Sequence, residues 1–112
     1  MAQITRHEDA LLQDLGNGVT RRVLSHTEGM MVVEITFPEG GTGAPHTHPH
    51  LQSSYVKSGE FEYTVGDETV IVREGDSLTF LPDQVHGCVC RKAGVLVDVF
   101  SPAREDFLKV QG

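Results

Sequence analysis

The stretch Gly40-Gly-Thr-Gly-Ala-Pro-His46-Thr-His48-Pro-His50-Leu-Gln52-Ser-Ser-Tyr-Val-Lys-Ser-Gly59 holds three of the chain's six histidines. In extended backbone alternate side chains share a face. His46 and His48 therefore point the same way, and two imidazoles at that spacing can chelate one ion. Gln52 keeps the same parity if the strand resumes after Pro49. His86 opens another β-type run far along the chain, and it would have to close the site from across the interior. The tract alone leaves two readings open, because histidines in a loop are also simply solvated.

The surrounding sequence is β in character. Short runs rich in Val, Ile, Phe and Tyr alternate with Gly, Asp and Pro breaks, the pattern of half-buried strands and turns. Strands are expected over 30–37, 52–57, 60–65, 69–73, 77–81, 86–91 and 95–100. Gly66-Asp67 suits a two-residue hairpin with positive φ at its first position. Helical or irregular segments are expected at the ends. Leu11, Leu12 and Leu15 in 7–15 have helix-like spacing, and Ser101 would cap a helix with Pro102 at its first position. Many short strands with little helix imply an all-β sandwich or barrel. In so short a chain, exposed edges would be removed by barrel closure or by strand sharing with a second subunit.

At 112 residues the chain is expected to be one domain, with the barrel over about 20–101. Nine basic and sixteen acidic residues give a net charge of −7. That balance argues against nucleic acid or an anionic membrane as partner, since both require clustered Lys and Arg. Met1 to Asn17 lacks the apolar core of a signal peptide, and no run is long enough to span a bilayer. Cys88 and Cys90 sit two apart on one strand, a poor geometry for a disulfide. Free thiols and a reducing, cytoplasmic setting are expected. Parity places both thiols on the face of His86, where buried Cys acts as a small hydrophobe.

The histidine spacing resembles the two cupin motifs. The first, G-x5-H-x-H-x3,4-E-x6-G, is matched by Gly40, His46, His48 and Gly59, with Gln52 in the Glu position. The second, G-x5-P-x-G-x2-H-x3-N, is matched by Gly75 and His86, while Leu81, Asp83 and Cys90 replace its Pro, Gly and Asn. The resemblance implies a cupin fold, a double-stranded β-helix or jelly roll, holding one divalent transition metal on His46, His48, Gln52 and His86. The ion itself is left open among Ni, Zn, Fe, Mn and Cu, all of which imidazole suits. A neutral Gln ligand leaves the full double positive charge of the ion to polarise a bound oxygen. His50 is expected to support the site or be solvated, not to ligate.

The segment Val95-Leu-Val-Asp-Val-Phe-Ser-Pro-Ala-Arg-Glu-Asp-Phe-Leu108 places Asp98 inside an otherwise apolar strand. Asp98 and Phe100 share a face opposite Val95, Val97 and Val99, and Arg104 follows on the next turn. A buried Asp needs a partner or a shifted pKa. One reading is a structural Asp98–Arg104 salt bridge. The other is an acid/base carboxylate beside a cation that grips a substrate carboxylate.

With Gly43-Ala-Pro-His-Thr-His-Pro-His50, Tyr55-Val-Lys-Ser-Gly-Glu60, Gly75-Asp-Ser-Leu78 and Val85-His-Gly-Cys-Val-Cys90, this tail resembles the small KdgF-type cupins of pectin and alginate breakdown. Leu51 stands where such relatives often carry Glu. The resemblance implies linearisation of 4,5-unsaturated monouronates, with Asp98, Phe100 and Arg104 as the catalytic pocket. It also implies a small anionic sugar acid as substrate. Pairing as a homodimer suits the Val-rich faces. A cupin dioxygenase and a non-enzymatic binder of small anions or sugars are the competing functions.

Overall fold

The computed structural model describes residues 2–109. Alternating apolar residues form β2 (Val19–His26) and β3 (Met31–Phe37), whose buried positions include Val19, Val23, Met31, Val33 and Phe37. Two strands are unusually long: β5 (Leu51–Val65) and β8 (His86–Ser101). The others are β1 (Leu11–Gly16), β4 (Thr42–His46), β6 (Glu68–Arg73) and β7 (Ser77–Phe80). Short 3-10 turns cover His7–Asp9 and Glu105–Leu108.

The gaps between the strands expected over 52–57 and 60–65 and over 86–91 and 95–100, at Ser58-Gly59 and Ala93-Gly94, do not end strands. They bend β5 and β8 where the two cross. A Cβ on Gly94 would run into the carbonyl oxygen of Ser58 and lie 2.6 Å from the Gly59 Cα. Gly59 has φ +83°, and a Cβ there would lie 2.5 Å from the Lys92 carbonyl oxygen. Only glycine tolerates that approach.

Each long strand thereby serves two layers. The first half of β5 pairs the second half of β8, and the second half of β5 pairs the first half of β8. One layer runs β1-β2-β3-β8-β5-β7, and the other runs β4-β8-β5-β6. This is the expected all-β cupin architecture, but among the described residues no ladder joins the outer edges, so the sheet is not closed by hydrogen bonds.

Gly66-Asp67 forms the two-residue turn between β5 and β6, with Gly66 at φ +58°. The ends differ from the sequence expectation. Residues 11–16 are a strand on β2, not a helix; Leu11, Leu12 and Leu15 are exposed, so their spacing reflects no buried helical face. Nor do Ser101 and Pro102 start a helix. Their peptide bond is cis, the Ser101 hydroxyl donates to the Gly29 carbonyl (3.0 Å), and the Ala103 N–H donates to the Glu28 carbonyl (3.1 Å). The β2–β3 turn thus holds this segment, and the last 3-10 turn begins only at Glu105.

The core has two clusters. One gathers Val56, Phe61, Tyr63, Val72, Phe80, Cys90 and Leu96 with Val19 and Phe37. The other gathers Val23, Met31, Val33, Phe100, Ala103 and Phe107, and Ile35 packs against both. Among the described residues, no helix is long and apolar enough to cross a membrane.

Candidate metal centre and its pocket

His46 ends β4, His48 lies in the following loop, and His86 starts β8, paired directly opposite His46. One ligand-capable atom from each lies within 4.8 Å of the others. Their orientation is set from behind. Nδ1 of His46 bonds the Ala44 carbonyl at 2.8 Å, and Nδ1 of His86 bonds the Gln84 carbonyl at 2.9 Å. A carbonyl only accepts, so both rings carry their proton on Nδ1 and turn a bare Nε2 inward, as metal-binding imidazoles do. The Phe80 ring stacks on His86, with centroids 4.1 Å apart and planes 8° from parallel.

Gln52 completes the group. Its Oε1 lies 2.9 Å from His48 Nε2 and 3.2 Å from His86 Nε2. Its other end is committed elsewhere: Nε2 donates to Ser54 Oγ (3.0 Å), whose hydroxyl donates to Asp98 Oδ1 (2.6 Å). The amide thus presents its oxygen to the imidazoles.

These residues fit a divalent metal. The lone pair of His86 Nε2 faces that of Gln52 Oε1 with no proton between them, a repulsion that a cation would reverse. His48 Nδ1 is buried without a partner. Burial pushes the His86 pKa down to about 4 and lowers that of His48, so both stay neutral, the form that ligates. His50 is half-buried with its ring 5.4 Å from that of His48, and it lies outside the three-histidine cluster. His7 bonds Glu34 and His26 bonds the Leu24 carbonyl, so neither joins it.

A cavity of about 310 Å³ opens on this group, lined also by Asp98, Phe100 and Arg104. Asp98 is buried, and burial pushes its pKa up to about 6, against lowering by hydrogen bonds from Ser54 and Gln52 and by the charge of Arg104. The Asp98–Arg104 salt bridge does not form. Arg104 instead grips Asp106 with Nε to Oδ1 at 3.0 Å and Nη2 to Oδ2 at 2.9 Å. Its guanidinium carbon lies 5.2 Å from the centre of the buried Phe100 ring.

Cys88 lines the cavity and Cys90 lies in the core; both are free thiols. Burial pushes the Cys88 pKa up to about 12, which leaves it protonated and inert.

Sequence reasoning missed Ser54, Tyr63 and Arg21, which belong to this site or line its cavity. Strand parity carried the signal for each. Ser54 follows Gln52 by two residues, and Arg21 sits between the inward-facing Val19 and Val23.

The profile of the cupin domain matches residues 33–100. The chain is a cupin. This cupin is 38% identical over 98 residues to the pectin degradation protein KdgF of Dickeya dadantii (strain 3937), covering 86% of the chain and 89% of that protein. Among solved structures, KdgF of a Halomonas species superposes with a TM-score of 0.89 at 30% identity, over 96% of this cupin and 99% of that chain. An RmlC-like cupin of Shewanella frigidimarina NCIMB 400 also gives 0.89, at 39% identity over 96% of each chain. The cupin is therefore of the KdgF-like kind that its motifs resemble.

Proposed function

We propose that this cupin converts 4,5-unsaturated monouronates, released in pectin or alginate breakdown, to their linear keto form. One observation carries the reading: a buried carboxyl with its pKa pushed up to about 6 sits one hydroxyl away from an amide whose oxygen meets the His48 and His86 rings of the three-histidine cluster. Similarity to a pectin degradation protein supports the substrate class.

His46, His48, Gln52 and His86 would hold one divalent transition metal. When bound, it supplies Lewis-acid polarisation of substrate oxygens. The remaining work falls to the chain's own groups. The substrate's ring oxygen and its C4=C5 bond form an enol ether. As the hemiacetal hydroxyl loses its proton and the ring oxygen gains one, the bond from C1 to the ring oxygen breaks, leaving an aldehyde and an enol. Ketonisation then adds a proton at C4 and removes one from the enol oxygen, so no atom is gained or lost overall.

Asp98 is the group assigned to that transfer. A carboxyl with a pKa near the working pH both gives and takes a proton, and Ser54 holds Oδ1 in place. Arg104 binds the substrate carboxylate. Phe100 forms the wall that excludes water. A single domain acting as a homodimer suits the outer face of β8, where Val95, Val97 and Val99 remain only half-buried.

The test uses metal-loaded protein and freshly released unsaturated monouronate, following loss of the enol-ether absorbance. Acceleration over the spontaneous rate, abolished by Asp98→Asn, is expected. No acceleration by loaded protein would overturn the assignment. Oxygen uptake in its place would move it to a dioxygenase.

A further inference from the structure

Two guanidiniums meet over the Phe107 ring at the cavity wall, and their commitments differ. The guanidinium carbon of Arg104 lies 4.2 Å from the centre of the Phe107 ring, and that of Arg21 lies 3.5 Å from it. Both residues line the cavity. Arg104 already spends two nitrogens on Asp106, so much of its charge is answered within the protein.

Arg21 is the reverse case. It rises from the middle of β2 on the inward parity and is half-buried. Only its Nε is used, donating to Gln13 Oε1 at 2.7 Å, while the Gln13 amide nitrogen donates to the Phe107 carbonyl at 2.6 Å. The glutamine thereby holds both the arginine and the turn beside it. Among the described residues, the two terminal nitrogens of Arg21 have no hydrogen-bond partner, and no carboxylate pairs with it. Asp106, already held by Arg104, acts on Arg21 only through its charge. Burial, and then the charge of Arg104, lower the Arg21 pKa, yet it remains a cation at any working pH.

We propose that Arg21 is a substrate-binding residue that receives the uronate carboxylate on its terminal nitrogens, sharing it with Arg104. The inference rests on the function proposed above and deepens it. A carboxylate between two guanidiniums relieves their mutual repulsion, and the planar fork of Arg21 matches its two oxygens. Selection of an acid over a neutral sugar would then depend on Arg21 more than on the already paired Arg104.

Two probes separate this role from simple packing on Phe107. Turnover of unsaturated monouronate is compared with turnover of its methyl ester. In parallel, calorimetric binding of galacturonate, which lacks the double bond, is compared with binding of methyl galacturonate. Wild-type protein is expected to prefer acid over ester. Arg21→Met, which keeps an unbranched side chain on Phe107, should cut that preference roughly tenfold or more, the usual loss for a charged hydrogen bond. Arg21→Lys should restore part of it. An equal loss for acid and ester would assign Arg21 to packing and overturn the proposal, as would an unchanged preference. Turnover of neither compound by wild type would overturn the proposed reaction alone. Arg21 would then stand or fall on the galacturonate binding difference, and absence of any acid preference there would sink it.

Discussion

The interior near the crossing of β5 and β8 and the interior toward the cavity are built from the same two strands on the same inward parity, yet their chemistry is opposite. Beside the Gly59–Gly94 contact, the inward residues are Val56, Leu96, Phe61 and Cys90, all at most 1% exposed and forming a dry core. One step out, β5 offers Ser54 opposite Asp98 and Tyr63 opposite Cys88. A further step brings Gln52 opposite Phe100 and Val65 opposite His86. The two layers splay from a glycine hinge, and polar groups enter one step away from it. The difference separates residues that fold the chain from residues that do chemistry. The polar ones cannot be excused as filler, because an unpaired buried polar group is costly, and here Gln52, Ser54 and Asp98 satisfy one another.

Attacking the hinge should do the most damage. Gly94→Ala forces backbone against backbone and should cost more than about 4 kcal/mol, read as loss of the cooperative denaturant transition or failure to fold. Next comes Phe61→Ala, which empties a fully buried position of the dry end and should cost about 3–5 kcal/mol. Chelator competition on the folded variant should find metal affinity changed by no more than a few fold. A collapse of metal binding would mean that the two ends are not separable.

At the polar end the sign reverses. The folded-state pKa of Asp98, about 6, stands above its ordinary 3.8, so the folded protein favours the protonated form. Wild-type stability from this group is intact below 3.8 and falls as pH rises through about 6. Asp98→Asn removes that loss. In metal-free protein it should therefore raise unfolding free energy by on the order of 3 kcal/mol above pH 6. The gain should vanish near pH 4, while uronate turnover falls roughly a hundredfold or more. Denaturant unfolding at a series of pH values checks the slope. Ser54→Ala, which touches no ion, should weaken metal affinity about tenfold by freeing the Gln52 amide to turn. The smallest effect belongs to Gly75→Ala. Its φ of +91° is unfavourable for alanine, but a Cβ would meet nothing within 4 Å, so a loss of about 1 kcal/mol is expected.

Much of this contrast could be read in the sequence, because strand parity is a two-residue code. His46, His86, Gln52, Asp98 and Phe100 fall where alternation puts them, and the turn at Gly66-Asp67 follows from its residue types. What escaped was governed by partners far along the chain. β4, Thr42-Gly-Ala-Pro-His46, has glycine and proline where strands usually have branched residues, and it is extended because β8 pairs with it. Leu11, Leu12 and Leu15 suggested a helix, but β2 supplies a ladder that local spacing does not reveal. The breaks at Ser58-Gly59 and Ala93-Gly94 were visible as interruptions; their meeting in space was not. Arg104 lines the same cavity as Asp98, yet its bond to the neighbouring Asp106 leaves Arg21 as the less committed cation.

Ser54 has a single hydroxyl hydrogen, and Asp98 takes it. The Gln52 nitrogen then supplies the hydrogen that the serine oxygen accepts. A glutamate at position 52 would have none to offer: two carboxylates would compete for one proton across a buried hydroxyl. Departure from the usual cupin glutamate is thus coupled to the presence of an acid at position 98. With glutamate at 52, one of the two carboxyls would have to keep its proton.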